Sequence, residues 1–129
     1  MSLLLDTHAL LWWLFDDRRL PAAVRAVIAD PGHRILVSAA SAWEITTKHR
    51  LGKLASAAVL VQDIAGWLER ARLDELPILT AHAARAGSWS VPHRDPFDRV
   101  LAAQSEIEGL PLITRDRAFA AFGIRTVWT

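Results

Sequence analysis

Four acidic residues lie where the sequence predicts strands to end or helices to begin. Asp6 directly follows a run of three leucines, and Asp116 follows a later apolar run near the C-terminus. Glu44 lies one turn into the helix after a second apolar run, and Asp98 lies in the first turn of a long helix. Ligands of parallel α/β sheets bind beyond the carboxyl ends of the strands. We therefore expect these carboxylates to converge at that edge.

Four converging carboxylates need a counter-charge. Two carboxylates a few ångströms apart repel by roughly 1 kcal/mol in water and by about 4 kcal/mol at an effective dielectric constant of 20. Because the chain has no Cys, an all-oxygen ligand set predicts a hard cation, Mg²⁺ or Mn²⁺. Mg²⁺ keeps several waters and leaves room for a substrate phosphate, which suits hydrolysis of a phosphodiester bond by metal-activated water.

Helix capping offers a structural alternative for most of these acids. The spacing from Ser41 to Glu44 matches a capping box, in which Glu44 would bond the backbone at the helix start. Asp95 is placed as an N-cap before a proline, and Asp98 follows where the helix dipole favours an acid. Asp116 is also a candidate N-cap. Each of these readings stays open beside the catalytic one.

Asp6 has the weakest structural explanation. It follows three leucines and precedes an almost wholly apolar helix, for which Thr7 is the candidate cap. The hydroxyl groups of Thr7 and Thr114 would lie at the same edge and could support a carboxylate or a water. Capping and strand propensity explain these two threonines equally well.

Short apolar runs alternate with helical segments and lack alternating polarity, which indicates a parallel sheet covered on both faces. We predict an α/β fold, a single domain over residues 1–129, with a central parallel sheet of about four to five strands flanked by helices on both faces. The expected strands cover residues 3–5, 35–37, 72–76, 112–114 and 125–127. The expected helices cover residues 8–15, 21–29, 38–50, 57–70, 80–87, 96–108 and 117–122.

Composition excludes several classes of protein. Apolar residues make up 52% of the 129 residues, which excludes an intrinsically disordered chain. The net charge of +1 argues against binding a polyanion through bulk positive charge, so any basic surface must be local. The apolar run at residues 9–15 is shorter than the roughly 20 residues that span a bilayer. We expect no membrane association and a cytoplasmic location.

The sequence resembles the PIN-domain family, specifically the VapC-type toxin ribonucleases of toxin–antitoxin pairs. The matching segments occur in the family's order across nearly the whole chain. They are LLLDTHALLWWL at residues 3–14, SAWEI..K at 41–48, LGKL at 51–54, HRDPFDR at 93–99 and GLPLITRD..F at 109–119.

By this resemblance, the family's acidic quartet corresponds to the four acids Asp6, Glu44, Asp98 and Asp116. Asp6 and Asp98 would be the direct metal ligands, whereas Glu44 and Asp116 would act directly or through water. Asp95 is an extra acid that would cap a helix and support the site. The resemblance also implies an Mg²⁺-dependent endoribonuclease that leaves a 5′-phosphate and a 3′-hydroxyl. It further implies a homodimer that a VapB-type antitoxin inactivates in a heterocomplex.

Basic and aromatic residues supply candidate substrate contacts. The arginines flanking the two C-terminal acids would orient carboxylates or bind RNA phosphates, with solvated ion pairs as the alternative. These are Arg94, Arg99, Arg115 and Arg117. The six tryptophans could stack on bases, although core packing is the commoner role. His93 could contact substrate, but a loop histidine is more often simply exposed.

Three other functions compete. A catalytically inactive interaction module on the same fold would use the acids only as caps. A phospho-acceptor protein or aspartyl phosphatase fits poorly, because Asp6 is followed by Thr7 and His8 and not by a second acid. A metal-dependent deoxyribonuclease fits the acids equally well, since this mechanism does not use the 2′-hydroxyl. Caps can point in any direction, whereas a metal site requires the carboxylates to share one place.

Overall fold

The computed structural model of the chain describes residues 1–128 and contains a five-stranded parallel sheet over that range. Thr129, the last residue of the predicted domain, lies outside the described residues. The strand order is β3-β2-β1-β4-β5, and every neighbouring pair is parallel. The predicted parallel α/β sheet is therefore confirmed. The strands are β1 (Ser2–Leu5), β2 (Arg34–Ser38), β3 (Asp74–Leu76), β4 (Leu112–Ile113) and β5 (Thr126–Val127).

Helices connect the strands. They are α1 (Thr7–Leu14), α2 (Ala22–Ala29), α3 (Ala39–Arg50), α4 (Ala58–Val61), α5 (Ile64–Arg70), α6 (Thr80–Ser88) and α7 (Pro96–Glu108). Two 3₁₀ segments, Ala55–Ala57 and Arg117–Phe122, complete the described helical structure. No helix within residues 1–128 is both long enough and apolar enough to cross a membrane.

Two hydrophobic cores lie on opposite faces of the sheet. In β1, Leu3 and Leu5 point into one core and Leu4 points into the other, as the period of two in a strand requires. The first core also contains buried side chains of α1 and α2. The second contains buried side chains of α7 and of the 3₁₀ segment Arg117–Phe122. The prediction of helices on both faces is confirmed, and it explains why the strands lack alternating polarity.

The prediction of one continuous helix over residues 57–70 is wrong. The chain forms α4 and α5 instead, with a break at Gln62 and Asp63. The Asp63 side chain accepts a hydrogen bond of 3.1 Å from the Gly66 N–H and so begins α5. Aspartate competes with the helical backbone in this way, which apolar periodicity alone does not reveal.

Leu4→Ala tests whether the sheet depends on the second core. Leu4 is fully buried in the central strand, so its truncation should lower the free energy of unfolding by about 2–5 kcal/mol. Ile107→Ala is the control, since Ile107 lies on α7 with 44% of its surface exposed, and it should change stability by less than about 0.5 kcal/mol. Urea denaturation measures both. Equal stability of the two variants would contradict the two-core description.

Candidate active site

The carboxyl ends of three adjacent strands form the floor of the candidate site. Asp6 follows β1, Ser38 ends β2 and Thr114 follows β4. The Asp6 N–H donates to the Ile113 carbonyl at 3.1 Å, so Asp6 and Thr114 leave the sheet at nearly the same level. All three residues are buried. The central β1 has neighbours on both sides here, which is the topological position where α/β sheets bind ligands.

Asp6 is a buried carboxylate that also begins a helix. Its Oδ1 accepts a hydrogen bond of 2.7 Å from the Ala9 N–H, which makes Asp6 the N-cap of α1. The expectation that Thr7 caps this helix is wrong, because the aspartate at the strand end reaches the free N–H groups first. Burial raises the pKa of Asp6, and the hydrogen bonds from Thr114 and Ala9 oppose this shift. The negative charge of Glu44 raises the pKa further.

Glu44 does not cap α3. The N-cap is Ser38, whose Oγ accepts from the Ala40 N–H at 3.0 Å. The proposed capping box between Ser41 and Glu44 is therefore wrong, because α3 begins three residues earlier than that box requires. Ser41 Oγ lies 2.9 Å from Thr7 Oγ1 instead, in a buried hydrogen bond that joins α3 to α1.

The Glu44 carboxylate is turned into the site. Glu44 is 3% exposed, and its Oε2 accepts a hydrogen bond from Lys48 Nζ, one turn further along α3. Its Oε1 is buried and has no hydrogen-bond partner within the described residues. A buried carboxylate oxygen without a partner is costly, so this atom is available for a ligand.

Asp98 contributes the third carboxylate from the first turn of α7. Burial raises its pKa to about 6, and the hydrogen bond with His93 opposes this shift. The neighbouring charges of Asp95 and Glu44 raise the pKa further. His93 Nε2 lies 2.8 Å from Asp98 Oδ2. Glu44 thus acts electrostatically on both Asp6 and Asp98.

Asp95 is an N-cap, as the sequence predicts. Its Oδ1 accepts from the N–H groups of Phe97 and Asp98 at 2.9 and 3.1 Å. These bonds fix the first turn of α7 and so position the Asp98 side chain beside the other carboxylates. The charge of Asp95 also adds to the negative potential at the site.

Lys48 is the counter-charge that the sequence analysis did not identify. Burial tends to lower its pKa, but the hydrogen bond and charge of Glu44 raise it, as do the charges of Asp95 and Asp98. The net direction is upward, so the ammonium group stays protonated among the acids. The sequence contains a signal for this contact, since Glu44 and Lys48 are four residues apart and such residues are neighbours on one face of a helix.

Asp116 lies at the margin of the site. It is exposed and caps the segment Arg117–Phe122, accepting from the Ala118 N–H at 2.9 Å. The Asp116 N–H donates to Thr114 Oγ1 at 3.0 Å. Asp116 and Asp6 both line a cleft of about 370 Å³. The structure thus links Asp116 to the site through Asp6 and Thr114.

Arg99 has a structural role that the sequence analysis did not anticipate. Its guanidinium group was expected to orient carboxylates or to bind RNA phosphates. It instead donates four hydrogen bonds of 2.5–2.9 Å to backbone carbonyls that lead into α7, and no carboxylate accepts from it. These carbonyls belong to Ala86, Trp89, Val91 and His93. Arg99 therefore holds the loop that carries His93 against Asp98.

The other three candidate arginines are exposed around the site. Arg94 precedes the cap of α7, and Arg115 and Arg117 flank Asp116 and line its cleft. The Arg115 guanidinium lies 4.8 Å from the centre of the Trp12 ring, a cation–π contact that holds it at the rim of the cleft.

The carboxylates fit a hard cation chemically. Within residues 1–128, no three Asp, Glu or His side chains form a ready-made set of metal ligands. The ammonium group of Lys48 occupies Glu44 Oε2, while Glu44 Oε1 remains buried without a partner. The available donors are oxygens, which Mg²⁺ and Mn²⁺ prefer. Asp6, Asp98 and Glu44 are the residues that would hold such an ion, in competition with Lys48.

Comparisons with known proteins agree with the fold and with the order of the motifs. The family model of the PIN domain matches residues 3–124. The chain is similar to a solved structure of VapBC2 from Rickettsia felis bound to a promoter DNA fragment. The TM-score is 0.68 at 13% identity, with 98% of this chain and 96% of the other covered.

A second solved structure, a toxin–antitoxin complex from Klebsiella pneumoniae, is also similar. Its TM-score is 0.59 at 22% identity, with 92% of this chain and 91% of the other covered. No curated protein sequence matches the chain. At these identities the two solved structures support the fold.

Asp98→Asn should change how stability depends on pH. The folded chain holds the pKa of Asp98 at about 6, above its ordinary 3.8, so the folded state binds this proton more tightly than the unfolded state. The free energy of unfolding therefore falls as the pH rises through this range. In metal-free buffer at pH 8, Asp98→Asn should be more stable than the parent chain by about 1–2 kcal/mol after allowance for solvent screening.

This gain should be much smaller near pH 4, where the parent carboxyl is protonated in the folded state and about half protonated in the unfolded state. Urea denaturation at the two pH values measures it. Asp30→Asn is the matched control, because Asp30 is an exposed carboxylate outside the site, and it should show no such difference. A gain that persists unchanged at pH 4 would mean that the burial of charge is not its cause.

Lys48→Met should strengthen metal binding. Removing the ammonium group takes a like charge away from an incoming cation, and we expect Mn²⁺ to bind about tenfold more tightly, or about 1.4 kcal/mol. Isothermal titration calorimetry measures the Kd, and Lys53→Met is the control, since Lys53 is exposed outside the site. Weaker binding by the Lys48 variant would show that Lys48 holds Glu44 in its binding position.

Proposed function

The chain belongs to the PIN domain family, and we propose that it is the toxin of a type II toxin–antitoxin pair, an Mg²⁺-dependent endoribonuclease. One observation carries the catalytic part of this proposal. Glu44 raises the pKa of both Asp6 and Asp98, and one of its own oxygens is buried without a partner. Acids that serve only as caps have no reason to meet in this way.

Asp6 and Asp98 are proposed as the direct metal ligands, with Glu44 and Asp116 acting directly or through water. A divalent ion bound there would supply Lewis-acid polarisation of a phosphodiester and lower the pKa of an attacking water. The Ala9 N–H holds the Asp6 carboxylate through a hydrogen bond of 2.7 Å. His93 Nε2 lies 2.8 Å from Asp98 Oδ2 and holds that carboxyl group in place. The two acids are thus positioned before any ligand arrives, which reduces the cost of binding.

The exposed arginines would bind the nucleic-acid backbone. Arg94, Arg115 and Arg117 surround the carboxylates, and guanidinium groups bind phosphates through paired hydrogen bonds. Because the net charge of the chain is only +1, local arginines must provide this attraction. Mg²⁺ and RNA are the cofactor and substrate that we propose, with Mn²⁺ as an alternative ion.

The proposed partners follow from the solved structures. The two similar chains come from VapBC2 of Rickettsia felis and from a toxin–antitoxin complex of Klebsiella pneumoniae. We propose that this chain likewise forms a homodimer and that a VapB-type antitoxin binds it in an inactive heterocomplex. The cytoplasm is the proposed location.

An inactive interaction module on the same fold is the second candidate. The observation in its favour is that Asp6, Asp95 and Asp116 all accept capping hydrogen bonds. Capping does not account for Glu44, which lies inside α3, nor for the ammonium group of Lys48 among the acids. Catalysis explains all of these features together.

Asp6→Asn and Asp98→Asn should each lower the rate of Mg²⁺-dependent RNA cleavage by at least about a hundredfold, because each removes charge that holds the ion. Both variants should stay folded, since an amide oxygen can still accept the hydrogen bonds of Asp6 and Asp98. Gel analysis of an end-labelled RNA measures cleavage. Asp30→Asn, the exposed control, should keep parental activity.

EDTA should abolish cleavage by the parent chain without changing its molar mass in light scattering, since the ion is proposed to act in catalysis only. Full activity in either site variant would remove the mechanism. Dissociation of a dimer by EDTA would assign the metal a structural role. Equal cleavage of DNA of the same sequence would favour the deoxyribonuclease alternative.

A further inference from the structure

Two aromatic rings flank the carboxylates and belong to neither described core. Trp43 immediately precedes Glu44 on α3, and Phe97 immediately precedes Asp98 on α7. Their ring centres are 4.6 Å apart with an angle of 81° between the planes, so they make an edge-to-face contact. We call this pair the aromatic platform. Neither ring is among the side chains of the two hydrophobic cores.

The platform is open to solvent. Trp43 is 54% exposed, the highest value among the large aromatic side chains of the described residues, and Phe97 is half-buried. An edge-to-face contact covers at most one face of an indole ring. Covering the exposed part of this ring with a flat ligand would remove apolar surface from water. The edge-to-face contact with Phe97 restricts the orientation of the Trp43 ring.

Sequence neighbours fix the position of the platform relative to the site. Consecutive residues on a helix point about 100° apart, so Glu44 faces the buried carboxylates while Trp43 stands at their rim. Asp98 and Phe97 are related in the same way at the start of α7. A molecule bound at the carboxylates through a phosphate would therefore have its neighbouring groups beside the platform.

We propose that the aromatic platform stacks an unpaired nucleobase next to the phosphate at the carboxylates. This inference rests on the proposed function, because it takes the ligand at the carboxylates to be a phosphodiester. Every base offers a flat π face to an aromatic ring, whereas the bases of a duplex already stack on both faces. Exposed Arg94 lies three residues before Phe97 and is placed for the adjoining phosphate.

A direct binding assay tests the platform. The background is Asp6→Asn with Mg²⁺ present, which prevents cleavage during the measurement under the proposed function. Fluorescence anisotropy follows the binding of a labelled, unstructured ten-nucleotide RNA. Trp43→Ala should weaken binding by about 5- to 150-fold, the range for loss of one stacked base. Trp43→Phe should keep most of the affinity because it retains an aromatic face.

Two controls separate stacking from general effects. Leu79→Ala removes another exposed apolar side chain, 54% exposed, from outside the site and should leave RNA binding unchanged. The same RNA annealed to its complement should bind more weakly, and Trp43→Ala should not change that binding further. Circular dichroism should show that Trp43→Ala is folded, as expected for a ring outside both cores.

The outcomes distinguish this inference from the proposed function. If the parent cleaves RNA with Mg²⁺ while Trp43→Ala binds the single strand as tightly as its background, the stacking inference is contradicted and the proposed nuclease function is supported. If the parent does not cleave RNA but binding of the single strand depends on Trp43, the stacking inference is supported and the proposed nuclease function is contradicted. If Trp43→Ala leaves RNA binding intact but lowers the molar mass in light scattering, the rings are an interface between protein chains, which overturns the inference.

Discussion

Repulsion among carboxylates at one edge of the sheet is the constraint around which the rest of the site is built. Asp6, Glu44 and Asp98 are each at least partly buried, and the charge of Glu44 acts on both aspartates. Such groups must be neutralised by protons or by a cation. The raised pKa values of Asp6 and Asp98 and the lysine beside Glu44 are the responses of the metal-free chain.

The sheet and the longer helices were predictable because each has a strong local signal. The apolar runs of β1, β2 and β4 are short, continuous and flanked by polar residues, as buried parallel strands require. Asp95 and a proline at the first helical position marked the start of α7 correctly. The placement of acids at strand ends followed from parallel topology, which brings distant stretches of chain to one edge.

The caps and the arginine contacts that the sequence did not predict depend on a competition between hydrogen-bonding groups. A sequence alone does not rank those groups. Asp6 and Thr7 were both able to cap α1, and only the direction of the strand end decides for Asp6. Arg99 was equally suited to phosphates or to carbonyls, and the course of the loop from Trp89 to His93 decides for carbonyls. The α4–α5 break likewise reflects a capping choice made locally by Asp63. In each case several partners were chemically equivalent until the chain was folded.

Capping and metal binding are compatible roles for the same aspartate, because a carboxylate has two oxygens. Asp6 Oδ1 accepts from the backbone of α1, and a second oxygen remains for a ligand. A helix N-terminus also stabilises negative charge, so the cap offsets part of the cost of burying the acid. Glu44 lacks this support, and Lys48 takes its place. The site therefore tolerates buried charge where helices begin, and the ammonium group of Lys48 balances the charge of Glu44 in the interior of α3.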